Sequence, residues 1–232
     1  MHMYWSDNSE KKPEFVVPDV VVDLAFQIKC PTLPIDHAYA LSIVMLEALP
    51  WLADEEQAGI HLVHGASSGH GWTRPDDTTT ELLHLSRRTR LRLRLPRQRL
   101  DDARELTGRM LAIDGHSMAV GKSSEHLLSA ITTLFARYVI TREAVDEGQF
   151  LEQVSGELGS QGIASRKMLC GMPHTHEFPD GPVFTRSLMV AELEPEQSVR
   201  LQQQGLRGGR KTGCGLFIPH KGIAPVKEQD GG

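Results

Sequence analysis

The chain has 232 residues, 40% hydrophobic and 24% charged, with 25 Lys and Arg against 30 Asp and Glu and a formal net charge of -5. That length buries one large core or two cores of about a hundred residues each, and the mildly acidic balance argues against a nonspecific nucleic-acid binder. Cys30, Cys170 and Cys214 are too few and too scattered for a disulfide framework or a thiolate metal site, which points to a reducing cytoplasm; no apolar run has the length of a membrane span, and Met1 to Pro13 is polar rather than signal-like.

After a flexible tail over residues 1–15, Val16 to Lys29 reads as a strand with Val20, Val22, Leu24, Phe26 and Ile28 on one face. Pro31 and Pro34 end it, and Asp36 stands where an N-cap belongs, ahead of a helix from His37 to Ala48 that is stopped by Pro50. Ala38, Leu41, Val44, Met45, Ala48 and Leu49 form its apolar stripe; His37 lies at the edge of that stripe and Tyr39 on the opposite side. Ile60 to Val63 is a short strand, and Gly65 to Pro75 is a long connection. Leu83 to Leu95 then reads as one strand, with Leu91, Leu93 and Leu95 on the core side and Arg88, Arg90, Arg92 and Arg94 on the other; the alternation is cleanest from Thr89 onward. Leu100 to Leu106 is a short helix and Met110 to Val120 a final strand.

The second half repeats that order. Ala130 to Ile140 is β-rich, Arg142 to Leu158 helical, Arg166 to Met172 and Val183 to Leu193 extended, Glu194 to Gln204 helical, and Leu216 to Ile218 closes the unit. The class expected is α+β, with two tandem ferredoxin-like (βαββαβ, RRM-like) domains over residues 16–121 and 122–232.

Between the last helix and the last strand, Gly205, Gly208, Gly209, Gly213 and Gly215 alternate with Arg207, Arg210 and Lys211. This composition reads as an anion-binding loop or, more plainly, as a mobile surface loop. It is not a P-loop: Arg210 occupies the glycine position before Lys211-Thr212, and Gly213, Gly215 and Pro219 forbid the helix that must follow.

Three stretches together resemble the CRISPR-associated repeat-RNA endoribonucleases of the Myxococcus type. They are Thr32 to Leu41 at the start of the first helix, Ser86 to Pro96 with its arginines, and the glycine-rich loop. The resemblance implies tandem ferredoxin-like domains and metal-independent cleavage of a precursor CRISPR RNA at its repeat stem-loop, with no cofactor, in the cytoplasm and in association with a Cascade-type surveillance complex. It also places a catalytic histidine in or near the first helix, which matches His37, and allows Tyr39 as a second group. Cleavage without a metal needs a proton taken from a 2′-hydroxyl and one given to the leaving 5′-oxygen, work suited to imidazole.

Arg88, Arg90, Arg92 and Arg94, roughly 6.6 Å apart along one strand face, are expected to bind RNA phosphates together with Arg207, Arg210 and Lys211. The competing expectation is a solvated row neutralised by Asp101, Asp102 and Glu105. Among other histidines, His70 sits in a loop that could swing to a phosphate, His61 and His64 flank a strand as structural or exposed groups, and His174 and His176 near Cys170 lack a fourth ligand for a metal site. A non-catalytic repeat-RNA-binding subunit is the alternative function, and an unrelated ferredoxin-like protein that is structural or binds a small anion is the second.

Overall fold

A computed structural model describes residues 15–65, 82–164 and 167–220. The first half contributes β1 (Val21–Lys29), β2 (Thr32–Pro34), α1 (Ala38–Ala48), β3 (Gly59–His61), β4 (Leu82–His84), β5 (Arg90–Pro96), α2 (Leu100–Arg104), β6 (Met110–Ile113) and β7 (His116–Leu127). Five of these strands form an antiparallel sheet in the order β3-β5-β1-β7-β6, while β2 and β4 pair separately. The alternation that predicts β5 is what folds it: Leu91, Leu93 and Leu95 are fully buried beside Leu24 and Phe26 of β1, under Leu41 and Met45 of α1 and Ala103 of α2.

The second half contributes β8 (Leu134–Ile140), α3 (Glu147–Ser160), β9 (Lys167–His176), β10 (Val183–Ala191), α4 (Pro195–Gln204) and β11 (Ile218–Pro219), in a sheet ordered β11-β8-β10-β9. Both helices begin on sequence signals. The Asp146 carboxylate accepts from the Gln149 N–H at 2.8 Å, and Glu194 with Gln197 forms a capping box around Pro195. Phe150, Val154 and Leu158 of α3 and Leu201 of α4 pack on Leu134, Ala136, Leu188 and Val190 to make a second core. The described residues thus form a mixed α/β fold with a five-stranded sheet, a four-stranded sheet, the separate β2–β4 pair and few helices.

Three local expectations need correction. The stretch from Leu83 to Leu95 is two strands, because Ser86 to Thr89 closes a turn in which the Thr89 N–H donates to the Ser86 carbonyl at 3.0 Å. Met110 to Val120 is a hairpin: Asp114 and Gly115 both take positive φ, 47° and 77°, the backbone of a tight two-residue turn, and β7 then runs to Leu127, past the boundary expected at 121. Asp36 does not cap α1; its carboxylate accepts instead from the Glu177 N–H at 2.8 Å and pairs with His176 Nδ1 at 2.7 Å, tying the start of α1 to the end of β9.

Candidate active site and nucleic-acid interface

His37 sits at the N-terminus of α1, as expected, but is only 1% exposed. Its Nε2 lies 3.1 Å from the Val63 amide, and because an amide can only donate, Nε2 must be the acceptor and Nδ1 must carry the proton, which it gives to the Pro34 carbonyl at 2.8 Å. Burial pushes the imidazole below its ordinary pKa. His37 is therefore a neutral ring with both nitrogens occupied by backbone, bolting the start of α1 to the end of β3. Tyr39, 39% exposed, packs against Phe178 with ring centroids 5.4 Å apart. The two candidate catalytic groups do not converge on one atom, in keeping with their opposite positions on the helix.

What does converge is a pocket of about 150 Å³ between the two halves, lined by Ile35, His37, Leu62, His64, Leu83, Arg137 and Tyr138. His64 follows β3 and is solvent-exposed, while Arg137 and Tyr138 come from β8. Packing against its neighbours, then the charge of Arg137, holds the His64 imidazole down at about 3. Tyr138 gathers further histidines, with His64 at 6.3 Å, His174 at 5.6 Å and His176 at 4.5 Å between ring centroids. An arginine beside a neutral imidazole in a polar recess can accept a phosphodiester and exchange protons with it. Arg137 and Tyr138 carry no sequence signal beyond the alternation of a strand; His64 reveals its place only once β3 and β8 are brought together. His70 lies outside the described residues, and among those described no group of three or more His, Cys, Asp or Glu is placed to hold a metal ion.

The expected RNA-binding row splits. Arg94 is fully buried: Nε and Nη2 donate to the two oxygens of Asp23 at 2.8 and 3.1 Å, and Nη1 donates to the carbonyls of Gln202 and Phe217 at 2.9 and 2.8 Å. It ties the first sheet to α4 and the last strand of the second, and cannot reach RNA. Arg92 is partly exposed, 3.7 Å from Asp23. Arg88 is exposed, and Arg90 lies at the rim of a groove described below.

The glycine-rich loop is likewise a brace. Arg210 Nη2 donates to the Gln57 carbonyl at 2.8 Å, and Lys211 Nζ donates to the Ala58 carbonyl at 2.7 Å and to that of Glu55. Burial lowers Arg210 to about 10 and Lys211 to about 8, so the protein encloses charges that the loop composition suggested were offered outward. Arg207 sits beside Glu157, its N–H donating to that carboxylate at 2.8 Å. A Cβ at Gly213, which has φ +80°, would fall 2.4 Å from Leu62 Cγ, so glycine there lets the loop press on the strand that leads to His64.

Two α/β sheets, locked by an arginine from one and a glycine-rich turn from the other, with a histidine and arginine recess at their seam, define the class of protein this is. The family model described as Cas6 Crispr matches residues 22–222, and the chain belongs to that family. It is 33% identical over 208 residues to the CRISPR-associated endonuclease Cas6 of Myxococcus xanthus (strain DK1622), across 90% of this chain and 85% of that one. Among solved structures, a CRISPR associated protein Cas6 superposes with a TM-score of 0.63 at 10% identity, covering 87% of this chain and all of its own. A Cas6-related protein from Pyrococcus furiosus gives 0.57 at 10% identity, with 85% and 97% covered. At such identity these two speak for the fold alone.

Proposed function

We propose that the chain is an endoribonuclease that binds the CRISPR repeat stem-loop and cuts precursor CRISPR RNA, without a metal, by attack of a 2′-hydroxyl on the adjacent phosphorus. The reading rests on a scaffold of two tandem ferredoxin-like units, supported by the fourth-first-third-second strand order of the second sheet. The observation that carries it, in a chain of the Cas6 family, is the pocket joining His64 to Arg137. Arg137 binds the scissile phosphate and stabilises the charge that builds on it. His64 transfers the proton, its basicity recovering as the phosphate offsets Arg137. His37 fixes the wall of the pocket through its two backbone bonds.

The test is cleavage of a repeat transcript in EDTA. Wild type is expected to leave a 2′,3′-cyclic phosphate, a 2′-deoxy substitution at the cut site to abolish cutting, and His64→Ala to slow it about a hundredfold. A need for added metal ends this mechanism. If His37→Ala loses cleavage while His64→Ala retains it, the proton transfer belongs to His37 after exchange of the Val63 amide for RNA.

One observation favours a second reading, a repeat-binding subunit of a Cascade-type complex that does not cut: both ring nitrogens of His37 are taken up by backbone partners. Tight, salt-sensitive hairpin binding without product supports that reading.

A further inference from the structure

The face of the first sheet that carries Asp23 and Arg94 is covered by the second half of the molecule at one end only. At its other end β5, β1 and β7 form a groove of about 740 Å³. Its lining includes Gln27 and Lys29 of β1, Arg87 and Arg90 of the β4–β5 turn and the start of β5, and Ala119 and Gly121 of β7. Register places Arg90 opposite Gln27 and Lys29 opposite Ala119, and the β1–β7 pairing shifts between Phe26 and Ile28, a bulge at the groove itself. A Cβ at Gly121 would lie 3.3 Å from both the Cβ and the carbonyl oxygen of Gln27, so the groove floor is clear because this residue is glycine.

The charge here is unspent. Arg97, Arg99, Arg104 and Arg109, further along the same arginine-rich stretch, each face carboxylates: Asp19 and Glu125, Glu55 and Asp102, Asp101 and Glu125, and Glu105. Among the described residues Lys29, Arg87 and Arg90 pair with none. Arg90 is also held ready, since its Nη1 donates to the carbonyls of Arg87 and Thr89, both at 2.9 Å, which fixes the guanidinium at the rim. The groove connects to the proposed cleavage pocket through one short piece of chain. Leu83 lines the pocket and Arg87 the groove, four residues apart and so at most about 14 Å along the backbone.

We propose that this groove is a second RNA site, which receives the single-stranded segment flanking the repeat stem as it leaves the cleavage pocket. This inference rests on the proposed function. Three cations supply phosphate contacts, the Gln27 amide can meet a base edge, and Ala119 with the bare backbone of Gly121 leaves room for a ribose or base face. The single-stranded flank is the occupant the placement favours, because the groove lies four residues of chain from the cleavage pocket and offers cations for one backbone and an amide for one base edge.

The test is fluorescence anisotropy with a labelled repeat hairpin, with and without its single-stranded flanks, comparing wild type with the triple variant Lys29→Glu, Arg87→Glu, Arg90→Glu. The variant is expected to melt like wild type, to bind the flanked RNA at least about tenfold more weakly, to show a salt dependence shallower by about two ions, and to bind the bare hairpin as wild type does. A photo-crosslinking base in the flank should map to the peptide containing Arg87 and Arg90. Equal binding of flanked RNA by variant and wild type overturns the proposal, as does equal weakening for flanked and bare RNA. A wild type that binds neither RNA refutes the functional reading itself.

Discussion

Arg90 and Arg94 stand on the same strand and the same face, two alternations apart, yet their surroundings give them opposite work. Arg94 lies where the second half of the molecule covers the sheet, and its guanidinium is consumed by Asp23 and two backbone carbonyls. Arg90 lies where nothing among the described residues covers the face, and its charge opens onto a groove. Alternation alone decides that neither side chain enters the leucine core. Whether the charge is spent on folding or kept for a partner depends on what the rest of the chain lays over it. The desolvation cost of a covered arginine is met only by near-complete hydrogen bonding, and Arg94 makes four such bonds from its five N–H groups.

The largest expected effect comes from breaking the covered end. Arg94→Ala leaves Asp23 buried beside His61 without its main counter-charge, and should cost about 3–5 kcal/mol in urea unfolding. Burial alone would raise the Asp23 carboxyl, but Arg94 and His61 pull it well below the ordinary carboxylate range. The double variant Asp23→Ala, Arg94→Ala should recover part of the loss, because no unpaired charge then remains. A single variant as stable as wild type would mean that the two halves are held together elsewhere. The next effect is at the same end: Gly213→Ala must adopt φ +80° and displace Leu62, at about 2 kcal/mol.

A graded effect follows from pH. Burial pushes the enclosed imidazoles of His37 and His61 below the ordinary 6.5. The unfolded chain takes up a proton at each of these near 6.5 while the folded chain does not, so stability is complete above that pH and declines as pH falls below it. Asp23 acts in a lower window. Its depressed pKa contributes stability above the unfolded value of 3.8, which is lost only as the pH drops further, toward its folded pKa. Melting temperature should therefore fall steadily on acidification from about 6.5 to about 5, above the range in which carboxylates of the unfolded chain titrate. A flat profile across that range would show that these imidazoles are hydrated in solution.

The leucine and arginine alternation was legible because it is local, and so was the start of α4 at Glu194; the Asp146 cap of α3 is an equally local signal, and reading that helix from Arg142 missed it. The hairpin at Asp114-Gly115 was equally legible: an Asp-Gly pair between apolar residues is a turn signal, and reading 110–120 as one strand passed over it. The fate of Arg94 was not legible, since its carboxylate partner lies 71 residues away and its carbonyl acceptors 108 and 123. His37 illustrates the same limit. A histidine at a helix start can take up a proton or hold a fold, and the Val63 amide that occupies its Nε2 belongs to another element. The pocket escaped because His64 and Arg137 come from different halves, each unremarkable in its own strand. The cations of the glycine-rich loop were read as phosphate contacts because composition shows charge but not which way it faces; three of its glycines are placed by contacts a Cβ would violate with Leu62, Leu206 and Cys214.

The smallest expected effect sharpens the comparison most. Arg90→Gln removes a charge from the same strand and face as Arg94→Ala, but from the uncovered end, and no buried carboxylate is left behind. Its two bonds to the Arg87 and Thr89 carbonyls join groups only three residues apart at a partly exposed turn, where water replaces them at little cost. Stability should change by no more than about 0.5 kcal/mol, as for ordinary surface substitutions. A loss comparable to that of Arg94→Ala would place Arg90 among the residues that hold the fold and remove the physical reason for treating the groove as a surface reserved for RNA. A near-silent melt combined with weaker binding of flanked RNA would show that one alternating strand serves two purposes, divided at the point where the second sheet stops covering it.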